Sequence, residues 1–116
     1  MRRLFITALL FSLIRTVYAH AILVKAVPAP YQVVDGSDVT IRLQFNSRID
    51  AKRSRLSIIS ASGDDRTLQI SATSTPDCID SKVTRVPGGA YVLRWQVLAA
   101  DGHISRGEVP FHVREK

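Results

Sequence analysis

The sequence predicts an all-β domain: an antiparallel Greek-key β-sandwich or barrel of about seven strands, cupredoxin- or immunoglobulin-like. Three observations predict it. Apolar residues alternate with polar ones at period two in the two longest patterned stretches, residues 39–45 and 90–98. Turn residues punctuate the chain at short, regular intervals. No stretch after residue 19 carries the 3.6-residue apolar period of an amphipathic helix.

The start of the chain stands outside this pattern. Met1-Arg2-Arg3 is a short basic region, Leu4 to Ile14 is mostly apolar, and Val17-Tyr18-Ala19 places small or β-branched residues at the −3 and −1 positions. This is the three-part form of a secretory signal peptide, with cleavage expected after Ala19. The alternative is an uncleaved anchor. The apolar run falls short of the roughly 20 residues a spanning helix needs, and Arg15 interrupts it. The expected organisation is therefore a signal peptide over 1–19 and one small β domain over 20–116, large enough for a modest core. Arg2, Arg3 and Arg15 leave with the signal, so the formal charge falls from +6 to +3. The densest basic cluster, Lys52-Arg53-Ser54-Arg55, has no interleaved aromatics. It is expected as a solvated turn, and nucleic acid as a partner is disfavoured. Cys78 is the single cysteine, so no internal disulfide is possible. Its expected role is a small buried side chain, with partial exposure open because Thr75 to Asp80 reads as a loop.

The elements follow in order. Ile22 to Ala26 is a short apolar strand that Pro28-Ala29-Pro30 stops, since proline lacks a ladder donor. Asp35-Gly36-Ser37 is a turn. Val39, Ile41, Leu43 and Phe45 alternate with polar residues, so they share the buried face of a strand. Asn46-Ser47 ends it, and a loop runs past Lys52. Leu56 to Ile59 and Thr67 to Ala72 are the next strands, with Ser62-Gly63-Asp64-Asp65 as the turn between them. Residues 73–81 read as a loop and Lys82 to Val86 as a short strand before Pro87-Gly88-Gly89. In Ala90 to Leu98, Tyr91, Leu93, Trp95 and Val97 face inward, with Trp95 as a core anchor. The last strand spans about Arg106 to Arg114, with Val109, Phe111 and Val113 inward.

Few residues could do chemistry. No Ser/His/Asp or Cys/His arrangement suggests a hydrolase. His112, between two inward residues, is expected on the surface. Asp101 and His103 flank Gly102. In an extended chain they would point to one side, yet Asp-Gly is also an ordinary tight-turn pair. His20 adds weight to the first reading. Cleavage after Ala19 would make it the N-terminus, where its α-amine and imidazole can close a chelate ring on one metal. Imidazole and amine nitrogens suit copper(II). The reference pKa values of an α-amine and an imidazole, about 7.7–8.0 and 6.5, make such a site weaken on acidification.

His20-Ala21, Pro28-Ala29-Pro30, Leu43-x-Phe45 and Trp95-x(5)-Asp101-Gly102-His103-x(3)-Gly107-x(3)-Phe111-x-Val113 together resemble the CopC copper-resistance protein family, across almost the whole chain after residue 19. The resemblance implies a periplasmic, cupredoxin-like protein that binds copper(II), with His20, Asp101 and His103 as ligands. Two departures sharpen it. Some members carry a glutamate just after the phenylalanine of the second strand, where this chain has Asn46-Ser47. Some carry a methionine-rich loop for copper(I), whereas the one methionine here is Met1. The expectation is thus a copper(II)-only protein acting in copper resistance, buffering or delivery, without turnover and monomeric. An inner-membrane copper transporter is a candidate partner. Two other functions are weighed against it: a histidine-brace copper monooxygenase-like enzyme, for which no cluster of exposed aromatics is evident, and a metal-free immunoglobulin-like interaction module.

Overall fold

The computed structural model describes residues 21–71 and 75–115. The expected signal segment and His20 lie outside the described residues. The described residues form eight strands and no helix: β1 Leu23–Val27, β2 Val33–Asp35, β3 Val39–Phe45, β4 Ile49–Ser60, β5 Asp65–Leu68, β6 Cys78–Val83, β7 Gly89–Ala99 and β8 Ile104–Arg114. They make a three-stranded sheet, ordered β1-β3-β6, and a five-stranded sheet, ordered β2-β8-β7-β4-β5. Every pairing is antiparallel except β2 with β8.

Period-two patterning is what brings the sheets together. Val39, Ile41, Leu43 and Phe45 of β3 are buried while Thr40 and Arg42 are exposed. Tyr91, Leu93, Trp95 and Val97 of β7, and Val109, Phe111 and Val113 of β8, are buried in the same way. Burying a Leu, Ile, Val or Phe side chain contributes about 1.5–3 kcal/mol each, so the facing rows hold the sandwich shut. Phe45 meets Trp95 across the sheets, edge to face, with ring centroids 5.1 Å apart. Trp95 pairs in register with Gly107. A Cβ on Gly107 would lie 2.3 Å from the indole Cζ2, so the absence of a side chain there is what admits the ring.

Four expectations are corrected. The Lys52-Arg53-Ser54-Arg55 cluster is not a turn but part of β4, where the register against β7 shifts between Asp50 and Arg55. Ser54 holds this bulge: its Oγ donates to the Asp50 carbonyl (2.7 Å) and accepts from the Leu98 N–H (3.2 Å). A bulge breaks period two, and with it the pattern that would announce a strand. Residues 78–81 belong to β6 rather than a loop. Their polar side chains face partners within the fold, as Ser81 donates to the Gln69 carbonyl (2.7 Å) and Asp80 forms an ion pair with Arg42 (3.6 Å). Cys78 is consequently buried. β5 ends at Leu68, short of the expected Ala72, and β2 is an eighth, three-residue strand that the pattern did not announce.

Candidate metal centre

Three segments converge at one end of the sandwich. The first is the turn joining β7 to β8. Gly102 N–H donates to the Ala99 carbonyl and Ala99 N–H to the His103 carbonyl, both at 2.9 Å. Gly102 sits at φ +88°, a conformation that glycine adopts without the penalty a Cβ brings. The second is the link between β3 and β4, tied to this turn by Ala100 N–H donating to the Arg48 carbonyl (2.9 Å). The third is the approach to β1. There Asn46 clamps Ile22 from both sides: its Oδ1 accepts from the Ile22 N–H (2.8 Å) and its own N–H donates to the Ile22 carbonyl (3.0 Å). Ala21 is buried beside this clamp.

Asp101 and His103 meet in the turn. One carboxylate oxygen of Asp101 accepts from the His103 backbone N–H (3.0 Å), and the other lies 3.0 Å from His103 Nδ1. The backbone N–H first, and the imidazole second, hold the Asp101 carboxyl below the ordinary carboxylate range. Both side chains keep an open side, His103 41% and Asp101 34% exposed, while the Nδ1 atom that faces Asp101 is itself buried. Their spacing suits a metal. Two donors at right angles, each about 2.0–2.1 Å from a metal, stand about 2.9 Å apart. A carboxylate oxygen and an imidazole nitrogen 3.0 Å apart fit as neighbouring donors of a tetragonal copper(II) site.

The structure therefore brings two of the three expected ligands together. The third, His20, lies outside the described residues; the chain that follows it is clamped at Ile22, next to the link that meets the turn. Among the described residues no group of three or more His, Cys, Asp or Glu side chains forms a further metal cluster. Cys78 is buried in β6, its Sγ 3.5 Å from Asp77 Oδ1. His112 is exposed on β8, nine residues beyond His103, or roughly 30 Å along the strand. Asn46 is the residue that sequence reasoning passed over. The sequence marks it as a strand end and as the place where some family members carry a glutamate, and a polar side chain directly after a buried strand end was the available signal for its clamp.

Residues 23–114 match the CopC domain family. Among solved structures, CopC from Methylosinus trichosporium OB3b is 26% identical, with a TM-score of 0.74 over 83% of this chain and 95% of that one. PcoC, a methionine-rich copper resistance protein from Escherichia coli, is 22% identical, with a TM-score of 0.70 over 83% and 100%. Murine CRIg shares the sandwich at 15% identity, with a TM-score of 0.52 over 84% and 98%. No curated protein is matched by sequence.

Proposed function

This chain belongs to the CopC domain family, and from that premise we propose that it is an exported copper(II)-binding protein of the periplasm, acting in copper resistance, buffering or delivery. Cleavage after Ala19 frees the α-amine of His20. That amine and the His20 imidazole, the His103 imidazole and the Asp101 carboxylate make a three-nitrogen, one-oxygen set. The observation that carries the reading is the Asp101–His103 pair. Its donor atoms stand 3.0 Å apart, at the end of the sandwich where Asn46 holds Ile22, two residues from His20. Copper is cargo here, held and released without turnover.

Each residue has a separate task. Gly102 lets the turn close so that Asp101 and His103 face each other. Asp101 supplies the oxygen donor and its negative charge beside the His103 ring. Asn46 places the start of the mature chain. The donor set favours copper(II). PcoC is described as methionine-rich, whereas this chain has one methionine, Met1, so no thioether cluster is present to suit copper(I).

The test is a copper(II) titration of two purified forms, one beginning at His20 and one with a single glycine before it, followed by electron paramagnetic resonance. The first should bind one copper tightly with a nitrogen-rich tetragonal signal, and the second should bind much more weakly. His20→Ala and His103→Ala should each lose most of the affinity, and His112→Ala none. Equal binding by the two forms, or equal effects of the three substitutions, would overturn the reading.

A further inference from the structure

The outer face of the five-stranded sheet is not the polar surface expected of a sheet open to water. Strand register orders it in rows. Beside the metal-end turn, Leu98 pairs with Ile104, which is half exposed. Next come Arg55, Gln96 and Arg106, then Ser57, Arg94 and Glu108, then Ile59, Val92 and Pro110. Two largely apolar rows, each ending in an aspartate on the β4–β5 side, Asp50 beside Leu98 and Asp65 beside Ile59, thus flank a cationic band. Within the band Arg94 is paired with Glu108 (3.1 Å). Arg106 donates to the Gln96 side-chain oxygen (2.9 Å), which brings no negative charge. No carboxylate of the described residues lies within ion-pair distance of Lys52, Arg55 or Arg106. The face is also concave. A groove of about 860 Å³ runs past four cations, Lys52, Arg55, Arg94 and Arg106, and two carboxylates, Asp65 and Glu108, so it stays net positive. A second, mostly apolar groove of about 390 Å³ lies between Tyr31, Ile59, Val92 and Pro110.

We propose that this face docks an acidic, partly apolar polypeptide surface, and so sets a partner protein against the metal end of the domain. Arginine is the matching cation, because its planar fork takes a carboxylate through two parallel hydrogen bonds. Concavity favours protruding protein side chains over a lipid surface, which is engaged by protruding basic and aromatic groups. The extent fits an encounter rather than a permanent complex. Six residues of strand span about 20 Å, and four strands with their side chains a similar width. The contact is then roughly 400 Å² per partner, in the weak, transient class. Weak and salt-sensitive docking is what the passing on of a metal ion requires. The docking surface stands on the sheet alone. Only the statement that the partner gives or takes copper rests on the proposed metal site.

The test is a titration of the isotope-labelled, metal-free chain from His20, followed by backbone amide shifts. The probes are a short peptide alternating glutamate and leucine, its lysine-for-glutamate counterpart, and phosphatidylglycerol vesicles. The acidic peptide should shift Arg55, Arg94, Gln96, Ile104 and Arg106, and at least tenfold less tightly in the Arg55→Glu/Arg106→Glu variant. The milder Arg55→Gln/Arg106→Gln pair should weaken it in the same direction. Lys82→Glu, on the exposed face of β6, should change nothing. Equal binding of the two peptides, shifts centred on β3 and β6, or binding to vesicles but not to the acidic peptide would overturn the proposal. Copper titration of the double variants separates the two readings. Docking lost with copper binding intact assigns the face. Docking intact in a chain that binds no copper removes the metal reading and leaves the surface.

Discussion

Replacing Asn46 with alanine should separate metal affinity from stability. The substitution removes the Oδ1 acceptor of the Ile22 N–H and leaves the backbone bond from Asn46 N–H to the Ile22 carbonyl. Ile22 is 60% exposed, so water can replace the lost partner. The cost to folding should stay near the low end of the net 0.5–1.5 kcal/mol of a hydrogen bond. Copper binding is affected differently. Binding through His20 depends on where the chain at Ile22 is held, and fixing one residue's backbone costs about 1–2 kcal/mol. Losing the clamp transfers about one residue of that cost to the binding step, which lowers affinity by about tenfold. Asn46→Asp keeps an acceptor oxygen in place and should bind like the parent. The assays are a competition titration against a chromophoric copper(II) chelator and urea unfolding of the metal-free chain. Affinity within twofold of the parent would refute the clamp's role. Complete loss of binding would show that Asn46 does something other than position the chain.

Gly107→Ala should destabilise the domain by about 1–3 kcal/mol, the range for overpacking a filled core, because the new Cβ would fall 2.3 Å from the Trp95 ring. Urea unfolding reads the loss, and tryptophan emission should move to longer wavelength as the ring gives way. Copper affinity should fall on acidification, because protons compete with the metal for the α-amine and imidazole nitrogens. Asp101 acts on the fold over a lower range. A carboxyl held below its unfolded value lends stability that is present above that value and lost as pH falls through the lower folded one. Its share therefore disappears only below about pH 4. A competition titration repeated at several pH values between about 6 and 8 checks the copper statement, and an affinity that does not change over that range would contradict it.

The fold was legible wherever alternation met burial on one face. β3, β7 and the inner residues of β8 all lie where period two puts them, and Trp95 is the core anchor its pattern predicts. Legibility failed where polar side chains serve the backbone. Ser54 replaces ladder bonds at the β4 bulge, and Ser81 reaches the Gln69 carbonyl from inside β6, so the first half of β4 and residues 78–81 of β6 read as loop. The turn is more instructive. Asp101-Gly102-His103 invited two readings, a site or an ordinary Asp-Gly turn, and the structure shows a turn in which the carboxylate and the imidazole meet. The turn, not an extended strand, brings the carboxylate to the imidazole. Asn46 was only half legible: a polar residue directly after a buried strand end marks a cap, but its partner is a backbone N–H that the residue pattern does not name.

The placement of the donors has a consequence for the whole domain. Asp101 and His103 lie in a turn between two strands of the five-stranded sheet, while Ile22 and Asn46 lie at the end of the three-stranded one. On the proposed reading a bound copper ion ties the two sheets at their shared end, in a chain whose single cysteine allows no internal disulfide. Copper present at 100 times its Kd then adds about 2.7 kcal/mol to stability, which is comparable to a cross-link. The coupling runs both ways. Phe45 and Trp95 form the aromatic contact between the sheets, and Gly107, four residues past His103, makes room for it. A change at Gly107 that parts these rings also shifts His103 relative to the chain behind Asn46. Copper affinity should therefore fall together with stability at Gly107, whereas at Asn46 the two come apart.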